Sequence, residues 1–256
     1  MLQPKSFLKS ALAVAACLTG LAAQADGHGP HWSYADPHHH SDPAHWAELD
    51  PAFESCAKGT HQSPVNIGAA QKAELPALEF SYGTAKPSIV NNGHTIQVNV
   101  PAGQKLKVGE QSYELLQFHF HAPSEEAFRG KRMPMVAHFV HRNTAGQLGV
   151  VAVLFDRGAL NAAFNPVFEH IPAKAGETLT VEDLSLDLAA LLPSDKHYYS
   201  FEGSLTTPPC SEGVNWMVLK NPVKLSAAQI QAFRKLYSSN ARPVQPLNDR
   251  VIKESL

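Results

Sequence analysis

The chain has 256 residues, 44% of them hydrophobic, with 21 Lys and Arg against 23 Asp and Glu for a formal charge of −2. So even a balance argues against a nucleic-acid surface, which needs a basic patch. No apolar run approaches the roughly 20 residues that a membrane-spanning helix requires.

The N-terminus reads as an export signal. Lys5 and Lys9 give a positive start, ALAVAACLTGLAA (11–23) is a short apolar run, and Ala23-Gln24-Ala25 is a small-x-small cleavage site before Asp26. A cleaved signal peptide over 1–25 implies export, to the periplasm or the medium. Its removal takes Lys5 and Lys9 and no acid, so the charge moves from −2 to −4. Cys17 leaves with the signal. A lipid anchor at Cys17 is the second reading, because the apolar run before it is only about seven residues long. Cys56 and Cys210 remain. An even count in an exported chain predicts a structural disulfide, and a bridge closing so long a loop stabilises by about 4 to 5 kcal/mol in the loop-entropy picture.

The mature chain, 26–256, reads as one domain. It opens with a mobile arm (26–45) carrying His28, His31, His38, His39, His40 and His45, with Trp32, Tyr34 and Trp46 as its anchors. Such a tract either binds metal or is simply polar and solvated. Short strands follow. TIQVNV (95–100) alternates, YELLQFHFH (113–121) and PMVAHFVHR (134–142) are two more, and LGVVAVLF (148–155) is apolar enough to be buried on both faces. NTAG (143–146) predicts a turn joining an antiparallel pair. VNWMVL (214–219) is a further strand. Helices are few: SAAQIQAFRKLY (226–237), with Ser226 and Gln229 at capping-box spacing, and the shorter NAAFNPVFEHI (161–171) and SLDLAALL (185–192). The predicted class is mainly β, with small helices at the margins.

In QFHFH (117–121), successive side chains point to opposite faces. Gln117, His119 and His121 therefore share one face, and Phe118 and Phe120 the other. On the next strand His138 and His141 are three apart and face opposite ways. His138, with Val136 and Val140 beside it, is the one that joins the cleft. Three imidazoles suit Zn²⁺ and leave a fourth position for water, the arrangement of a catalytic zinc. A strand histidine is ordinarily just a satisfied residue, and spacing does not name a reaction.

The segments QSPVNI (62–67), NNGHTIQV (91–98), QFHFHAPSEE (117–126), AHFVHRN (137–143), GSLTTPPCSEGVNW (203–216) and ARPVQPLNDR (241–250) do. Together and in this order they resemble the α-class carbonic anhydrases, in the bacterial exported branch. The resemblance implies a large twisted, mostly antiparallel sheet in a single domain. It implies zinc held by His119, His121 and His138, and reversible hydration of carbon dioxide to bicarbonate and a proton by a zinc-bound hydroxide. Thr206 matches the gatekeeping threonine and Glu125 its acidic partner. Thr207 matches a bicarbonate contact, and His94 the proton-shuttling histidine. Val140, Val150, Leu205, Val214 and Trp216 match the apolar wall for carbon dioxide. Tyr34, Asn92, Gln97 and Gln117 match polar positions that hold waters or orient ligands, Gln117 as partner to His119.

One position departs. Many members carry a glutamate two residues before the third histidine to orient it; here that residue is Val136. His138 is therefore expected to use a backbone carbonyl, another side chain or water, while Glu126 reads as a solvated loop charge. The rival functions are a non-catalytic binding protein on the same scaffold and a metal buffer built on the histidine-rich arm. Oligomeric state is left open, a homodimer included.

Overall fold

The computed structural model describes residues 31–35, 40–180 and 184–256. The expected signal peptide, Cys17, and His28, His38 and His39 of the arm lie outside them. Among the described residues no helix is long and apolar enough to cross a membrane.

The body is a large twisted sheet. Its main path uses β1 (Gln71–Ala73), β2 (Ser88–Asn91), β3 (Ile96–Asn99), β4 (Gln111–His121), β5 (Met135–Asn143), β6 (Leu148–Arg157), β7 (Thr178–Leu179), β8 (Tyr198–Ser204), β9 (Glu212–Leu219) and β10 (Lys253–Ser255). They lie in the order β7-β2-β3-β4-β5-β6-β9-β8-β10-β1. Most neighbours are antiparallel, as expected, and the 143–146 turn does join β5 to β6 antiparallel. β6 meets β9 in parallel, however, and so does β10 meet β1. A parallel pair needs a long crossover, and the chain between β6 and β9 supplies one.

Alternation along β4 and β5 decides what each face does. Phe118, Phe120 and Phe139 point to one side, where they join Val151, Val153 and Phe155 of β6 in a buried core. Short helices cover that face. α3 (Asn165–Glu169) and α4 (Ala227–Arg234) contribute Val167, Phe168, Ile230 and Phe233. Each fully buried aromatic or aliphatic side chain of this kind contributes about 1.5 to 3 kcal/mol. α4 has the expected capping box, with Ser226 Oγ accepting from Gln229 N at 3.2 Å and Ser226 N donating to Gln229 Oε1 at 3.0 Å. The segment 185–192 is not a continuous helix. Leu186–Asp187 pairs with Thr84–Ala85, and Asp187 Oδ1 then accepts from Ala189 N and Ala190 N, which tightens Ala189–Leu191 into a 3-10 turn.

Near the N-terminus, α1 (Trp46–Leu49) and α2 (Ser55–Lys58) pack beside the loop after β8. Cys56 of α2 is bonded to Cys210, 154 residues away. Trp46 is fully buried against this bridge, with Trp32 and Tyr34 packed on it.

His141 faces away from the other β4 and β5 histidines and is wholly buried. Its Nδ1 donates to Gly149 O, and Tyr82 donates its hydroxyl to Nε2, so the ring is held neutral. Desolvation pushes its pKa down to about 4, partly offset by its backbone hydrogen bonds. That lies below the ordinary 6.5 or so of an unfolded chain. The associated stability is therefore fully present above about pH 6.5 and is lost as pH falls toward 4, on the order of 3 kcal/mol. We expect chemical denaturation of the metal-stripped protein to show that acid loss, and His141→Phe to show a flatter stability profile between pH 7 and pH 4.5. An identical profile in both would refute the assignment.

Candidate active site

Strand register assembles the site across the other face of the sheet. Gln97 of β3 pairs with His119 of β4, which pairs with His138 of β5, and His121 pairs with Val136. The three rings stand with centroids 5.1 Å (His119 to His121), 5.5 Å (His119 to His138) and 4.7 Å (His121 to His138) apart. One nitrogen from each lies within 4.8 Å of the others.

Which nitrogen faces inward is decided by what binds the other one. His119 Nδ1 is 2.9 Å from Gln117 Oε1, His121 Nδ1 is 2.7 Å from Asn240 O, and His138 Nε2 is 2.9 Å from Glu126 Oε1. All three partners are acceptors, so each ring gives them its N–H and presents a lone pair on the opposite nitrogen. The inward set is Nε2, Nε2 and Nδ1. His121 Nε2 is buried with no hydrogen-bond partner at all. An orphaned buried acceptor is costly, and a cation among three such atoms would satisfy it. The donor set therefore fits a divalent metal of zinc type, with three neutral imidazoles as ligands.

Burial favours the neutral rings. Desolvation pushes His119 down to about 3, with His138 adding to the effect, and holds His121 well below the usual histidine range. His138 goes the other way. Desolvation lowers it too, but Glu126, and Glu125 after it, outweigh that and raise it.

Glu126 is not a solvated loop charge. It is fully buried, and its carboxylate meets the imidazole that Val136 cannot reach. Val136 instead packs into an apolar cluster with Val150 and Trp216. A carboxylate is rarely buried unless paired, and here the pair is His138. Ser124 holds the loop in place, its Oγ donating to Glu126 O at 2.7 Å and accepting from Met133 N at 2.9 Å.

Glu125 is also fully buried. Its Oε1 accepts from Arg242 N at 2.8 Å, and its Oε2 lies 3.5 Å from His121 Nε2 and 3.8 Å from His138 Nδ1. Desolvation raises the carboxyl to about 7, against the lowering pull of His138 and the Thr206 hydroxyl. Thr206 is buried beside it, and Thr207 is half-buried, its carbonyl accepting from Cys210 N. The five apolar positions that the resemblance assigns to the carbon dioxide wall lie together in one cluster. Val150, Val214 and Trp216 are buried in one cluster, with Val140 and Leu205 packed against it, and the Trp216 ring stands 4.9 Å from that of His138.

His94 is half-buried and stacks on Trp32 with centroids 3.7 Å apart, while His31 lies 6.2 Å away. Burial and then His31 lower its pKa. Asn92 Nδ2 donates to Gln97 Oε1 at 3.4 Å, and the Tyr34 ring lies 6.5 Å from that of His121.

Sequence reasoning missed Asn240 and Arg242. Asn240 offers its carbonyl to His121, while its side chain bonds the backbone of His94, Phe120 and Ala122. The Arg242 guanidinium, buried over Trp46, donates to Gln62 Oε1, Ser63 O and Cys56 O. Arg242 sits inside one of the resembling segments, which was the available signal. A main-chain acceptor such as Asn240 O leaves none.

The family model for eukaryotic-type carbonic anhydrase matches residues 41–256. The carbonic anhydrase of Pectobacterium carotovorum is 43% identical over 251 residues, 97% of this chain and 99% of that relative. Among solved structures, the α-carbonic anhydrase of Thermovibrio ammonificans with the inhibitor sulfanilamide has a TM-score of 0.84 at 41% identity, covering 88% of this chain and 99% of that one. That of Photobacterium profundum has a TM-score of 0.82 at 44% identity, covering 88% and 100%. A likeness that runs through the partner chains almost end to end, rather than through a few motifs, places this chain in the α-class, eukaryotic-type carbonic anhydrase family.

Proposed function

We propose that this carbonic anhydrase hydrates carbon dioxide with zinc held by His119 Nε2, His121 Nε2 and His138 Nδ1. The observation that carries the reading is the trio of outer hydrogen bonds, which turns three lone pairs toward one point and leaves one of them buried without a partner. Zinc bound there supplies a nucleophile at neutral pH, since it lowers the pKa of a coordinated water to about 7 in carbonic anhydrases as a class.

The surrounding residues take up the remaining tasks. A cation nearby favours the ionised form of Glu125. The carboxylate then only accepts, so Thr206 donates its proton to Glu125 and keeps its own lone pairs for the attacking oxygen. Thr206 would thereby orient the reacting oxygen toward the carbon of carbon dioxide. Val140, Val150, Leu205, Val214 and Trp216 offer carbon dioxide an apolar surface, and Thr207 a hydroxyl for bicarbonate. Each turnover releases a proton. His94, half-buried at Trp32, carries it outward as imidazole and imidazolium. The Cys56–Cys210 bridge fits export to an oxidising compartment, periplasm or medium, with cleavage before Asp26.

Stopped-flow hydration assays of the zinc-loaded protein test the reading. His119→Ala should abolish zinc binding in the cleft and, with it, activity, and retained rate would reject the ligand. His94→Ala should lower kcat by up to about 10²-fold in dilute buffer while leaving kcat/KM nearly unchanged. Added imidazole should restore it, and a rate that ignores imidazole would remove His94 from proton transfer.

Glu126 orients His138, so Glu126→Gln should weaken zinc by about 10- to 100-fold in a chelator competition. Adding Val136→Glu to that variant should recover part of the loss. Unchanged zinc affinity in Glu126→Gln would show the hydrogen bond to be incidental.

A further inference from the structure

A second group of side chains of metal-ligand type lies outside the cleft. His40, His45 and Glu48 each present a ligand atom, and these atoms lie within 4.8 Å of one another. The local chain builds this arrangement. His45 precedes α1, and Glu48 lies three residues on, its backbone N–H donating to His45 O at 2.8 Å. His45 and Glu48 thus share one side of a single helical turn. His40 has φ 51°, a left-handed conformation that L residues seldom adopt, and its ring stands edge-on to that of His45 with centroids 4.3 Å apart.

Asp42 supplies the orientation. Its Oδ1 accepts from His45 Nδ1 at 2.8 Å and from Ala44 N at 3.1 Å, and the His45 backbone N–H donates to Asp42 O at 2.9 Å. With Nδ1 committed to a carboxylate, His45 keeps its lone pair on Nε2, the atom left to ligate a metal. A carboxylate behind a histidine is the usual support of a metal-ligating imidazole. Four residues of one nine-residue stretch therefore provide two imidazoles, one carboxylate and a support.

We propose that His40, His45 and Glu48 form a second, peripheral site for a divalent transition metal, with Asp42 as the positioning residue. Two imidazoles and a carboxylate select zinc, nickel or copper over magnesium or calcium, which prefer oxygen throughout. Donors around a tetrahedral zinc stand about 3.3 Å apart, so from separations within 4.8 Å the side chains close by up to about 1.5 Å on binding. His40 and Glu48 are exposed and free to do so. Exposure also makes this site weaker than the buried triad and leaves a coordination position to solvent.

Equilibrium dialysis of the full chain, its first zinc equivalent already bound, against zinc alone tests this. The wild type should take up a second equivalent. His40→Ala with Glu48→Gln should lose it, and Asp42→Asn should bind it about 10- to 100-fold more weakly. All these variants should keep the first equivalent and the wild-type rate of carbon dioxide hydration, which also shows that they fold. His38→Ala with His39→Ala should keep the second equivalent. The proposal is overturned if the wild type binds one equivalent only, or if the second survives in His40→Ala, Glu48→Gln. Neither outcome bears on the triad, whose loss would be read from the first equivalent.

Discussion

Three hydrogen bonds on the outer side of three imidazoles govern this protein. Each commits one ring nitrogen to an acceptor and so aims the other: His119 through Gln117, His121 through the Asn240 carbonyl, His138 through Glu126. Without them the rings are free to rotate and to exchange tautomers, and the same residues at the same register would present no fixed donor set. The acceptors differ in kind, an amide, a main-chain carbonyl and a carboxylate. The inner atoms differ accordingly, and the third ring is turned to use Nδ1. The electrostatics obey the same division. The two rings backed by neutral groups are held down by burial, and the one backed by a charge is held up.

The cleft was legible wherever period-two alternation carried it. His119 and His121 on one face with Phe118 and Phe120 on the other, and His138 split from His141, are consequences of pleating, and β4 and β5 fold that way. The capping box of α4 was legible for a similar reason, because its chemistry is confined to four residues. What could not be read depended on contacts distant in sequence. Glu126 lies in a loop whose path decides whether it meets water or His138. The parallel meeting of β6 and β9 is set by the crossover rather than by either strand. The 185–192 stretch has apolar spacing that suits a helix, but the Asp187 side chain competes for the backbone N–H groups that a helix would need free at its start.

The exchange of Val136 and Glu126 illustrates how a polar support is moved without disturbing the ring it serves. A glutamate on β5 would place a carboxylate in the apolar cluster around Val150 and Trp216. With valine there the cluster is continuous, and the carboxylate arrives from the loop after β4, beside Glu125. Two buried acids then stand next to each other. Neighbouring like charges resist joint ionisation, which, after burial itself, is one reason Glu125 is raised. A divalent cation held by the rings would relieve both.

Asn240 and Arg242 lie close to the C-terminus, yet one steadies His121 and the other anchors Glu125. Synthesis runs from the N-terminus, so the middle of the chain must wait for its end. A partly emerged polypeptide has all three histidines but lacks the carbonyl that aims the second and the amide that seats the acid behind it. The donor set and the acid behind it are therefore complete only once residues 240–242 have packed against β4 and the loop that follows it.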